Sequence, residues 1–272
     1  MRAISMLVVL FCIGALVYGN FHWNDKLGSA VNQEAANILT NRSETATEVT
    51  ENKENSTKGS FAELPLEMSE FLTEKHNNGE VVELVIIGSD VNKLADKKWT
   101  KLFKEELQTT YNELFNITVN AIPGEVTTAD VVNEGLHLEN LNSVPDIVIL
   151  EPFLLDSNGL IMIEHSLENI SIMIEDLKEM NSDLFLILQP GQPLRNATYY
   201  PKDVEELRTW SVEHGYTYIN HWESWPTNAE ELSEYIETED IIPNDKGHEV
   251  WAEHLIKYFT GENNKGNVDS QD

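Results

Sequence analysis

Hydrophobic positions along residues 81–259 follow two rhythms. Short β-branched runs, such as Val81-Val82-Glu83-Leu84-Val85-Ile86-Ile87, are apolar almost throughout. Strands buried on both faces read this way. Between them lie longer stretches whose apolar residues recur at three- and four-residue steps, as at Leu167, Ile170, Ile174 and Leu177. That is the spacing of a helix with one buried face. Strands are predicted at 81–87, 115–121, 146–150, 184–188 and 216–219. Helices are predicted over the stretch carrying Leu94, Trp99, Leu102, Phe103 and Leu107, then at 127–141, 164–180, 202–214 and 246–259. Repeated strand–helix alternation predicts an α/β domain with a parallel sheet covered on both faces.

The remainder of the chain follows other rules. Met1-Arg2 and the apolar stretch from Ile4 to Tyr18 read as a signal peptide or membrane anchor over residues 1–19. Residues 20–60 are rich in Asn, Thr, Ser and Glu with little periodicity, the composition of a disordered linker. The folded domain is expected over 61–262, opening with a short helix or strap, and a flexible polar tail over 263–272.

Charge and cysteine content narrow the chemistry. With 47 acidic and 18 basic residues the formal charge is −29. No basic footprint for nucleic acid is expected from such a balance. Cys12, inside the leader, is the single cysteine, so the mature domain is expected to have neither disulfide nor thiolate chemistry. No phosphate-cradling glycine motif, clustered acidic ligand loop or His pair at metal spacing is evident, so neither cofactor nor metal is expected.

Two places carry candidate chemistry. Gly88-Ser89-Asp90 ends the first predicted strand, and in open α/β sheets ligands bind at the carboxyl ends of strands. Near the C-terminus, Asp245-Lys246-Gly247-His248 runs into the last helix. An Asp three residues before a His can hold one imidazole nitrogen and leave the other to take a proton from a nucleophile. The competing reading of Asp245 is a helix cap, and that of Gly-Ser-Asp an ordinary turn. Trp222, Trp225, Tyr199 and Tyr200 lie in loops after the last strands, positions open either to lining a groove or to packing on the core.

Taken together, the blocks resemble the SGNH (GDSL-type) esterase and lipase superfamily. Ile87-Gly88-Ser89-Asp90 stands for its Ser block and Ile122-Pro123-Gly124-Glu125 for its Gly block. The segment Glu151 to Gly159 stands for its Asn block, and Asp245-Lys246-Gly247-His248 for its Asp-His block. The resemblance spans about residues 81–259 and departs from the family in two places. Gly-Ser-Asp replaces Gly-Asp-Ser, and the Asn position falls on Asp156 or Asn158, of which Asn158 is the better donor.

Several expectations follow from the resemblance. The fold would be a flavodoxin-like three-layer α/β/α sandwich with a mainly five-stranded parallel sheet. Ser89 would be the nucleophile, His248 the base and Asp245 its orienting acid. Backbone N–H groups of Ser89 and Gly124, with the Asn158 side chain, would form the oxyanion hole. The implied activity is ester hydrolysis outside the cell or at its surface, on small esters or O-acetylated envelope polysaccharide. The chain would meet the membrane only through its N-terminal segment. A non-catalytic protein that binds or assembles surface polymer on the same scaffold is the alternative, and a flavodoxin-like cofactor or signalling domain a third.

Overall fold

The computed structural model describes residues 61–237 and 241–261. The expected leader, linker and tail lie outside the described residues. Among the described residues, five strands form one parallel sheet: β1 (Val82–Ser89), β2 (Phe115–Ile122), β3 (Ile147–Leu150), β4 (Phe185–Leu188) and β5 (Thr217–Tyr218). Their spatial order is β2-β1-β3-β4-β5. The chain therefore winds outward in one direction to β2, then crosses back over β1 and continues the other way. The crevice of such a sheet opens between the carboxyl ends of β1 and β3.

Alternate residues of each central strand face opposite sides. Leu84, Ile86, Ile147, Ile149 and Ile187 bury against α1 (Leu66–Asn77), α2 (Trp99–Tyr111) and the final helix, Asp245–Thr260. Val85, Ile87, Val148, Leu150, Leu186 and Leu188 face α3 (Thr128–Glu134), the long helix Ile163–Met180 and the helix Tyr200–Glu213. Between these last elements runs the four-residue α4 (Leu154–Ser157), so the long helix is α5 and Tyr200–Glu213 is α6. A short α7 (Ala229–Leu232) precedes the final helix, α8. This is the expected three-layer sandwich. Among the described residues, no helix is long and apolar enough to cross a membrane.

Two predicted helices are shorter than their periodicity implies. The pattern starting at Leu94 becomes helical only at Trp99, because residues 90–92 form a 3-10 turn and Lys97 takes a left-handed conformation (φ 62°). The helix predicted over 127–141 starts as expected, with a reciprocal capping box between Thr127 and Asp130. It stops at Glu134, where Gly135 enters the left-handed region at φ 67° and closes the last turn. Apolar spacing continues past that glycine, but the residues form a separate 3-10 turn, Leu136–Leu138.

Candidate active site

Ser89 is the last residue of β1, and Glu151 follows β3 directly; the two meet at the β1/β3 crevice. The Ser89 hydroxyl donates to Glu151 Oε2 at 2.7 Å, and its backbone N–H donates to the same oxygen at 2.9 Å. Asn92 adds a third donor to Oε2 at 3.1 Å and also donates to the Ser89 carbonyl. The other oxygen, Oε1, accepts from the Phe153 N–H at 3.2 Å. Glu151 is only 1% exposed, so these four donors replace its water almost completely. Gly88 is demanded by this cluster, since a Cβ there would collide with Asn92 and stand 2.8 Å from the Glu151 Cβ. Tyr200, also buried, brings its hydroxyl to Gly191 beside Glu151. Burial first, and the Glu151 charge second, push its pKa far above the ordinary value.

His248 lies in the first turn of α8, against the connection that follows β1. Its Nε2 is 3.0 Å from Lys98 Nζ, and its Nδ1 is 3.4 Å from the Trp99 N–H. A neutral imidazole carries one hydrogen, so it cannot accept both bonds at once, and the shorter Lys98 contact leaves the hydrogen on Nδ1. Burial, then repulsion from Lys98, lowers the His248 pKa to about 3 against the opposing pull of Asp245. Its imidazole is therefore neutral at pH 7. Asp245 pairs with Lys97 at 2.6 Å on the exposed surface, and that bond holds its carboxyl below the usual range. The helix cap is not Asp245 but Asn244, whose side chain accepts from the Gly247 N–H at 3.2 Å.

The structure thus brings the expected residues to one edge of the sheet without joining them. Ser89 is bonded to Glu151 rather than His248, and Asp245 to Lys97 rather than His248. Two of the three expected oxyanion donors are likewise committed to carboxylates. The Ser89 N–H serves Glu151, and the Asn158 amide donates to Asp203 at 2.6 Å. Gly124 has φ 93° and open space around the position of a Cβ, so its backbone angle, not a close neighbour, calls for glycine. Asp156 is half-buried, and its pKa is raised to about 7, first by burial and then by the charges of Glu151 and Glu125.

Several residues do not appear among the expected site residues. Glu151 stands inside the segment assigned to the Asn block, and its signal was an acid placed immediately after four consecutive buried apolar residues. Asn92 and Lys98 carried no comparable signal, because each gains its role from a distant partner. The aromatics divide. Trp225 and Tyr200 are buried in the core, Trp222 donates to the Gly191 carbonyl at 2.7 Å, and Tyr199 stays 70% exposed. His221 is buried, its Nε2 bonded to the Pro190 carbonyl and its Nδ1 accepting from Trp225. His165 pairs with Glu168 and His254 with Ser224. No group of three or more ligating side chains suited to a metal occurs among the described residues.

The domain superimposes on several solved structures. One is a carbohydrate esterase of family 3 from Talaromyces cellulolyticus, with TM-score 0.55, 13% identity, and 68% of this chain matched to 99% of that one. Another is a member of the lipolytic G-D-S-L family from Veillonella parvula, with TM-score 0.52, 13% identity, and coverage of 66% and 99%. The fold is that of the GDSL-type (SGNH) esterases and lipolytic proteins. A psychrotrophic esterase from a Pseudoalteromonas species shares the SGNH fold at TM-score 0.50 and 13% identity, over 68% of this chain and 99% of its own. No protein-family model matches the sequence, and no curated protein does. At such identities the shared property is the SGNH fold, and the chemistry rests on this chain's own residues.

Proposed function

We propose that the chain is an SGNH-type serine ester hydrolase, exported or membrane-tethered by its N-terminal segment. The observation that carries this reading is the position of Ser89, partly exposed at the carboxyl end of β1 on the β1/β3 crevice, with its hydroxyl hydrogen already directed at a base. In the expected route Ser89 attacks the ester carbonyl, His248 takes its proton, and water later releases the acid. That route requires Ser89 to leave Glu151 and His248 to leave Lys98. Catalytic hydrogen bonds often tighten only when substrate is bound. The leader motivates substrates at the cell envelope, and O-acetyl groups on polysaccharide are the proposed class, in keeping with the carbohydrate esterase among the similar structures.

The second reading is a non-catalytic protein that binds surface polymer on the same scaffold. It is favoured by the commitment of Ser89, Asp245 and two expected oxyanion donors to other partners. Intact-mass measurement after fluorophosphonate treatment of the full chain separates the two. A single adduct, absent from Ser89→Ala, is expected of the hydrolase. A folded wild-type protein that takes up no adduct would leave the binding protein as the function.

A further inference from the structure

We infer that Glu151, rather than His248, is the base that takes the proton of Ser89. The inference rests on the hydrolase reading above and identifies its catalytic pair. Oε2 lies 2.7 Å from Ser89 Oγ and receives its hydrogen, whereas the accepting nitrogen of His248, Nε2, is engaged with Lys98. A base must first be within hydrogen-bond reach of the proton it removes. The carboxylate is also held rigidly. The Ser89 N–H and Asn92 hold Oε2, the Phe153 N–H holds Oε1, and Gly88 leaves room for the whole arrangement. A catalytic group locked by its neighbours loses no ordering entropy when substrate binds. Three of the groups around Glu151, the Ser89 and Phe153 N–H groups and the Asn92 amide, can only donate, so the site is built for an accepting carboxylate.

The chemistry closes without a further reactant. The Ser89 O–H bond breaks and its proton moves to Glu151 Oε2, while the Oγ electron pair forms a bond to the ester carbonyl carbon. The carbonyl π pair shifts to oxygen, then returns and expels the alcohol oxygen, which leaves with the proton held by Glu151. Water next attacks the acyl carbon and gives a proton to Glu151. As the acid departs, that proton returns to Ser89 Oγ.

Glu151→Gln is the discriminating variant, because a glutamine can present its carbonyl oxygen to the three donors on Oε2 while losing basicity and giving up only the bond from the Phe153 N–H. Fluorophosphonate labelling rates of the full chain are compared among wild type, Ser89→Ala, Glu151→Gln and His248→Ala, with thermal melts to confirm folding. The expected result is a loss of about 100-fold or more in Glu151→Gln, larger than the loss in His248→Ala. In Glu151→Ala, added small carboxylates are expected to restore part of the rate, more so the more basic the carboxylate, a dependence that a purely structural acid would not produce. Unchanged or faster labelling of a folded Glu151→Gln, or a larger loss in His248→Ala, overturns the inference while leaving the hydrolase reading intact. Absence of any label on wild type overturns both.

Discussion

Two polar clusters at the carboxyl edge of the sheet are built in opposite ways. Around Glu151 all four hydrogen bonds end on a carboxylate that is almost fully buried, and they come from β1, β3 or the turns that leave them. Around Asp245 and His248 the partners are Lys97 and Lys98, long side chains on a loop, and the Lys97–Asp245 pair is exposed at both ends. Solvent screens an exposed ion pair and side-chain entropy opposes it, whereas a desolvated carboxylate is tied to its donors by the cost of leaving any of them unpaired. The first cluster is therefore a fixed part of the fold. In the second, the exposed Lys97–Asp245 pair can rearrange, while the His248 ring itself is buried in α8.

The largest effect that would test this contrast is expected from Glu151→Ala. It strands the Ser89 and Phe153 N–H groups and the Asn92 amide, and destabilisation of roughly 3–5 kcal/mol is expected in urea titration. A loss too small to resolve would mean that water reaches the cluster and that it is not rigid. Gly88→Ala approaches the same cluster sterically. Its methyl must displace buried Asn92 or Glu151, so a cost of about 3 kcal/mol is expected, with a matching fall in melting temperature.

Acid should act through the imidazoles. His221 and His248 each have a folded-state pKa near 3 against 6.5 for the free group. For His221 the leading cause is burial, and protonation would also cost the bond from Trp225. The folded chain thus binds fewer protons than the unfolded one between about pH 6.5 and 3, and stability falls as pH drops through that window. His221→Gln should flatten this acid limb by up to about 1.4 kcal/mol per pH unit. An unchanged slope would show that His221 is not held neutral.

Asp156 has the reverse sign. Its folded pKa of about 7 against 3.8 keeps the proton on the folded chain, so stability declines as pH rises from about 4 through 7. Asp156→Asn removes that penalty. After discounting for solvent screening, a gain of roughly 1–2 kcal/mol is expected at pH 8 and none at pH 4. Equal effects at the two pH values would exclude titration as the cause. The smallest change is expected from Lys97→Ala, whose partner Asp245 is exposed: the denaturation midpoint should stay put. A clear shift there would erase the contrast between the clusters.

The strands, their parallel direction and the two-sided burial were legible in the sequence because an apolar run such as Ile147-Val148-Ile149-Leu150 has no polar face to expose. The placement of Ser89 at the end of β1 and of His248 in the first turn of α8 was legible too. Helix ends were less so. Apolar spacing does not register that Gly135 turns left-handed, or that residues 90–92 close a 3-10 turn before Trp99. What only the tertiary structure decided was partnership. Ser89 and Glu151 lie 62 residues apart, and Lys98 and His248 150. Local pattern fixes the direction a side chain leaves its own strand or helix, but which groups it meets depends on the order in which strands are laid side by side. The crossover that places β3 beside β1 puts a buried carboxylate against Ser89, and the loop before α2 puts a lysine against His248.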